Sequence, residues 1–133
     1  MNEIQIIRQQ LAMERLHFAE VAQACAAALD GGKFASGSDL ATVCADYFAF
    51  AVTRLDHGAG GPGTRAPAAS APAEHWREFL PAFTAQSRQH FESLDALSAR
   101  SPLVTEWRAA SRIDADSIFA ERARYGRFKA TVP

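Results

Sequence analysis

Apolar residues recur three and four positions apart along the first part of the chain, between Glu3 and Leu29. They are Ile4, Ile7, Leu11, Phe18, Val21, Cys25 and Ala28. Such spacing forms one apolar stripe on an α-helix, the face that a helix buries. Glu14 interrupts this stripe. Gly31 and Gly32 then predict the helix end, because glycine adopts the left-handed cap conformation without a Cβ penalty.

A second stripe predicts a helix that begins at the capping pair Ser38-Asp39 and ends at His57-Gly58. Its inward positions are Leu40, Val43, Cys44, Tyr47, Phe48, Ala51 and Leu55. From Gly58 to about Pro72 the composition changes to Gly, Pro, Ala and Ser without any period. We expect a flexible crossover loop at about 58–72, which is either poorly ordered or wraps across one end of the molecule.

Two further stripes predict a third and a fourth helix. The third carries Trp76, Phe79, Leu80, Phe83, Phe91, Leu94 and Leu97, with His90 in its interior. Pro81 predicts either a kink near Arg77 or a separate short helix before it, because proline removes a backbone hydrogen bond. The fourth begins at Ser101-Pro102 and ends at Gly126. Its inward line holds Val104, Trp107, Ile118 and Tyr125, together with Asp114 and Glu121.

No stretch alternates with a period of two, so strands are not expected. The chain has 133 residues, of which 48% are hydrophobic and 22% charged, the balance of one globular domain. Four amphipathic helices separated by Gly and Pro bury one another in a bundle. The sequence therefore predicts an all-α fold, an antiparallel up-down four-helix bundle that spans residues 1–133.

Charge and composition argue against several classes of partner. A net charge of −1 gives no general attraction to nucleic acid. No apolar run approaches the ~20 residues of a membrane span, and Met1-Asn2-Glu3 does not resemble a signal peptide. The two cysteines lack a CxxC spacing, which favours a reducing compartment. We expect a cytoplasmic protein with neither nucleic acid nor membrane as a partner.

Five polar residues are predicted to face the interior at one height of the bundle: Glu14, His17, Tyr47, His90 and Asp114. This estimate runs the fourth helix back along the first at ~1.5 Å per residue. Burial of an unpaired carboxylate or imidazole costs roughly several kcal/mol. Such groups must therefore pair internally, hold water or bind a ligand. The cluster is the main functional clue in the sequence.

Glu14 and His17 form a Glu-x-x-His step on one face of the first helix. At this spacing a helix can offer a carboxylate oxygen and an imidazole nitrogen to the same metal. These donors suit iron, zinc or manganese. A buried hydrogen-bonded pair is the alternative interpretation.

The sequences Glu14-Arg15-Leu16-His17 and Arg88-Gln89-His90-Phe91 resemble the first and third helices of hemerythrin-like cation-binding bundles, each of which offers one inward histidine. That family adds a His-x-x-x-Glu pair on its second and fourth helices. The matching stretches here carry Asp46-Tyr47 and Ser111-Arg112-Ile113-Asp114. The resemblance thus implies either a reduced metal site or a bundle of this type that has lost its metal.

Two functional hypotheses follow. The first is a hemerythrin-like bundle with a residual metal or small-ligand site for binding, sensing or storage. In it His17 and His90 supply nitrogen, Glu14 and Asp114 supply oxygen, and Tyr47 orients the ligands. The second is a metal-free interaction or dimerisation module in which the polar cluster fixes helix register. Neither hypothesis assigns a catalytic residue.

The second helix is apolar around much of its circumference, since Phe50 and Val52 cannot share the stripe of Phe48 and Leu55. An exposed apolar patch on this helix predicts a two-fold homodimer. In the alternative, the long loop or the tail beyond Gly126, with its Phe128 and Val132, folds back over the patch.

Overall fold

A computed structural model describes residues 2–55, 65–100 and 104–132, and most of these residues are helical with no strand among them. The helices are α1 (Glu3–Asp30), α2 (Asp39–Leu55), α3 (Ala73–Arg100), α4 (Val104–Ser111) and α5 (Ala115–Thr131). All four predicted helical segments are present, and the fourth is divided into α4 and α5. The all-α prediction is confirmed. No helix within the described ranges is both long and apolar enough to cross a bilayer.

The ends of α1 follow the sequence signals. Asn2 accepts the backbone N–H of Gln5, and the Gln5 side chain accepts that of Asn2, which forms a capping box. At the other end Gly31 forms the cap and Gly32 has a φ of 68°. This left-handed conformation explains the choice of glycine, and α1 ends where the pattern predicts.

The fourth predicted helix differs from the expectation at two points. Arg112 has a φ of 55°, and Asp114 caps a new helix through the Ser117 N–H, so the chain breaks between α4 and α5. Gly126 does not end α5, which continues to Thr131 because Phe128 anchors its last turns in the core. The burial of one aromatic side chain outweighs the modest cost of glycine inside a helix.

Pro81 does not divide the third helix. α3 runs from Ala73 to Arg100 with Pro81 inside it, so the alternative of a separate short helix is wrong. Phe79, Leu80 and Phe83 are buried on both sides of the proline. Their packing offsets the lost backbone hydrogen bond.

The contacts do not confirm the antiparallel up-down order. His17 contacts Glu121, and Glu20, further along α1, contacts Tyr125. The residue numbers of the contact partners increase together along both helices, so α5 runs in the same direction as α1. Helix α2 is antiparallel to both, with Arg54 near Ser111 at one end and Asp46 near Arg127 at the other.

The α3 helix is antiparallel to α1, because Arg8 contacts Ser98 and Phe18 contacts Phe91. It therefore runs in the same direction as α2. A long connection between the two is what this order requires, since the chain must return to the end at which α2 began.

Residues 65–72, the described part of the predicted crossover loop, lie against the connection between α1 and α2. Gly37 N–H donates to the Ala69 carbonyl at 2.8 Å, and Ser36 Oγ donates to the Ser70 carbonyl at 2.8 Å. Ala66 and Ala71 pack against the core. The rest of the predicted loop falls on residues 56–64, which lie outside the described residues.

The apolar surface predicted on the second helix contacts α5 at Phe50. Phe50 and Val52 are half-buried. The guanidinium carbon of Arg124 lies 5.3 Å from the centre of the Phe50 ring, and Phe128 beyond Gly126 is buried in the core. Arg124 precedes Gly126, so this contact involves the predicted fourth helix and not the tail beyond it, and both the dimer and the covering tail stay predictions.

Candidate functional site

The candidate site, the ionic network, is buried between α1, α2 and α5 and consists of two neighbouring groups: Glu14 with Arg54, and Glu121 with His17 and Tyr47. Each of the five is at least 93% buried. Glu14 and His17 come from one face of α1, Tyr47 and Arg54 lie seven residues apart on one face of α2, and Glu121 projects from α5. The helical periodicity of α1 and α2 thus directs two polar groups each inward, and that of α5 directs one.

Arg54 is the cation at one end of the network. Its Nε lies 3.2 and 3.3 Å from the two carboxylate oxygens of Glu14. Its Nη1 donates to the Arg112 carbonyl at 3.0 Å, and its Nη2 donates to the Ser111 carbonyl at 2.6 Å. Carbonyls at a helix end lack partners within the helix. Arg54 therefore both neutralises Glu14 and holds the break between α4 and α5.

Glu121 is the acceptor at the other end. Its Oε1 lies 2.6 Å from His17 Nδ1 and accepts the Tyr47 hydroxyl at 2.9 Å. Burial, followed by the charge of Glu121, raises the pKa of Tyr47 above its usual value. Tyr47 is therefore a proton donor throughout the physiological pH range.

Tyr125 and Glu20 connect the network to solvent. The rings of Tyr125 and His17 stack with centroids 3.6 Å apart, and the Tyr125 hydroxyl donates to Glu20. Burial, assisted by this hydrogen bond, raises the pKa of Tyr125 to about 12. The same bond lowers the pKa of the Glu20 carboxyl, and Lys129 lies 3.6 Å away. His17 is thus enclosed between Tyr125 and Glu121.

Burial raises the pKa of Glu14 above that of an ordinary carboxyl, although Arg54 lowers it in part. The nearby charge of Glu121 adds to the increase. Two carboxylates therefore share the interior with one guanidinium and one imidazole. A buried carboxylate of this kind depends strongly on its partner.

The structure joins three of the predicted site residues, Glu14, His17 and Tyr47, and places the other two in different contacts. His90 is half-buried on α3, with its ring 4.9 Å from that of Phe91. Asp114 is exposed and accepts the Ser117 N–H at 2.7 Å, a bond that lowers the pKa of its carboxyl. Asp114 was expected to face inward because the sequence gives no strong sign of the break before α5.

The described residues do not fit the predicted metal set as it stands. Nowhere in ranges 2–55, 65–100 and 104–132 do three or more His, Cys, Asp or Glu side chains form a group that could hold a metal ion. Glu14 is bound by Arg54, and Asp114 caps a helix. Iron, zinc or manganese bound by Glu14, His17, His90 and Asp114 stays a prediction.

Two members of the network, Arg54 and Glu121, were not among the predicted site residues. Glu121 lies on the inward line of the fourth stripe, so the hydrophobic pattern already indicated that its side chain faces the interior. Arg54 follows Tyr47 by seven residues and Ala51 by three, which places it on the buried stripe of α2. An arginine in such a register is a signal for a buried acidic partner, since charges are rarely buried unpaired.

Comparisons with protein-family models, with curated proteins and with solved structures found no match. The hemerythrin-like resemblance therefore stays a prediction. A shared fold would not by itself assign a function, because function depends on the chemistry of particular side chains.

Proposed function

We propose that this chain is a metal-free helical interaction module that forms a homodimer through the outer face of α1 and α5. The pairing of Arg54 with Glu14 inside the bundle supports the proposal that the module is metal-free. A cation already occupies the position at which a metal would bind this carboxylate. The ionic network then has a structural role, which is to fix α5 and the α4 end relative to α1 and α2.

Metal binding by Glu14 would require Arg54 to give up its acidic partner. Arg54 is 5% exposed, so a displaced guanidinium would remain buried beside a divalent cation. Breaking a buried pair in this way costs about 3–5 kcal/mol. Glu121 supports the same interpretation, because its Oε1 already accepts the Tyr47 hydroxyl and contacts His17 Nδ1.

The proposed interface, the α1–α5 face, consists of Ile6, Met13, Leu16 and Phe119. These large apolar residues are exposed, with Leu16 at 67% and Phe119 at 76%. Leu16 directly precedes His17, and Phe119 lies two residues before Glu121, which His17 contacts. The two most exposed apolar side chains therefore lie at about the same height of two adjacent helices. Exposed apolar clusters of this kind mark interaction surfaces.

A second copy of the chain is the partner that this face fits best. Charged residues of both signs border it, with Glu20 on α1 and Arg122 and Lys129 on α5. Lys129 lies 3.6 Å from Glu20 within the same chain, so the charges at this border are balanced and two copies of the face can meet without strong like-charge repulsion. The proposal moves the predicted dimer from α2 to the α1–α5 face, because Phe50 and Val52 of α2 are partly buried whereas Leu16 and Phe119 are exposed.

Light scattering on four versions of the protein tests this assignment. We expect a dimeric mass for the unchanged chain and a monomeric mass for Leu16→Glu and for Phe119→Glu. Phe50→Glu is the matched control on α2, where a glutamate would face Arg124. A monomeric unchanged chain would contradict the proposal. Dissociation by Phe50→Glu alone would indicate that the dimer forms through α2 instead.

A further inference from the structure

A groove lies between α1 and α3, on the opposite flank of α1 from α5. It contains a cavity of about 320 Å³ that opens beside a smaller one of about 150 Å³, and Arg15 and Phe91 line both. The larger volume is within the range of small-molecule pockets. Nothing in the ionic network or in the α1–α5 face accounts for it.

The floor of the larger cavity is apolar and rigid. It is formed by Leu11, Phe91, Leu94 and Trp107, all of which are buried. Ala12 lies at the mouth and is exposed, so the space above the floor is open to a ligand. A flat aromatic wall with small residues at the entrance favours an alkyl chain or a ring.

The rim of the groove is cationic. The guanidinium of Arg8 lies 5.2 Å from the centre of the Trp107 ring, and that of Arg15 lies 5.7 Å from the centre of the Phe91 ring. Arg88 lines the smaller cavity. Asp95 is the one acidic residue that lines either cavity among the described residues. The rim therefore has an excess of positive charge.

The contact between Arg15 and Asp95 can be exchanged at little cost. Arg15 Nη1 lies 3.0 Å from Asp95 Oδ2, but the two side chains are 50% and 67% exposed. Exposed ion pairs of this kind contribute little to stability. An anionic ligand can take the place of Asp95 at Arg15 and gain a charge-assisted hydrogen bond.

We propose that the groove between α1 and α3 binds an amphiphile with one anionic head group, such as a medium-chain carboxylate. The apolar part lies on the floor formed by Phe91, Leu94 and Trp107. The head group binds the guanidinium groups of Arg8 and Arg15. This site is separate from the dimer face, so binding here and dimerisation stand or fall independently.

Calorimetric titration of the unchanged chain with octanoate and with 1-octanol, below micelle-forming concentrations, tests the charge requirement. We expect saturable octanoate binding that is about tenfold tighter than that of 1-octanol, because a charge-assisted hydrogen bond to arginine is lost in the alcohol. Equal affinity for the two compounds, or the absence of saturable octanoate binding, would overturn the proposal.

Two pairs of variants locate the site. Ala12→Phe fills the mouth of the cavity and should abolish octanoate binding, whereas Ala27→Phe adds the same bulk at an exposed position of α1 that lines neither cavity. Arg15→Gln should weaken binding about tenfold, and Arg77→Gln at the start of α3 should leave it unchanged. Circular dichroism verifies that each variant is folded. Octanoate affinity unaffected by Ala12→Phe would overturn the assignment to this groove.

Discussion

The interior has two regions of opposite chemistry on the two sides of α2. On the α3 side, the Phe48 ring contacts Trp76, Phe79 and Phe83 at centroid distances of 6.0, 5.1 and 4.9 Å. On the α5 side lies the ionic network. The aromatic region is stabilised by buried area and shape, which neighbouring residues share. The network instead depends on pairing, so the loss of one partner leaves another charge unpaired.

The largest effect that this comparison predicts is that of Arg54→Ala. It leaves Glu14 buried without its cation and removes the hydrogen bonds of Arg54 to the Ser111 and Arg112 carbonyls. We expect a loss of about 3–5 kcal/mol in the free energy of unfolding, measured by urea denaturation. Replacement of both partners by apolar residues, Glu14→Leu with Arg54→Met, should recover most of the loss. A double variant no more stable than Arg54→Ala would contradict the account.

Tyr47→Phe should have a smaller effect, because it keeps the ring and removes only the hydroxyl that donates to Glu121. Loss of a hydrogen bond to a charged group costs about 1.5–3 kcal/mol. Phe48→Tyr, the adjacent substitution in the opposite direction, adds a hydroxyl to the aromatic region and is the matched comparison. Chemical denaturation of Tyr47→Phe that matches the unchanged chain would show that this bond contributes nothing.

The pH dependence of stability should have opposite signs at the buried and the bordering carboxylate. Because burial raises the pKa of Glu14, its contribution is full below the unfolded value of 4.5 and is lost as pH rises through the folded pKa. The Tyr125 hydrogen bond lowers the pKa of Glu20, so its contribution is present above 4.5 and is lost as pH falls.

Thermal unfolding of Glu14→Gln and Glu20→Gln between pH 4 and 7 separates the two contributions. Relative to the unchanged chain, Glu14→Gln should become less destabilising as pH rises. Glu20→Gln should become more destabilising over the same range. Parallel pH profiles for the two variants would contradict the difference between the interior and its border.

Metal content gives the smallest expected effect. The chain purified from medium that contains iron, zinc and manganese should hold substoichiometric amounts of each, and chelator should leave the melting temperature unchanged. Bound metal stabilises the folded state by mass action, so a true site would produce a shift. Stoichiometric metal that His17→Ala removes would instead establish the hemerythrin-like hypothesis.

Apolar periodicity was sufficient to predict the helices and the inward positions of Glu14, His17 and Tyr47, because both follow from local sequence. It could not predict the direction of α5. That direction depends on α3, which runs antiparallel to α1 because the chain returns to the end at which α2 began, so that the helix after α3 runs parallel to α1. The estimate that placed Asp114 beside His17 used the opposite direction, and the position goes instead to Glu121.

We expect the charge of Arg54 to be coupled to that of Glu14 inside the bundle. A double-mutant cycle with Glu14→Gln and Arg54→Met, followed by urea denaturation at pH 7, measures this coupling directly. We expect a coupling free energy of about 1.5–3 kcal/mol, at the upper end for contacting residues. Single-variant effects that add to within about 0.5 kcal/mol would mean that the pair does not organise the interior.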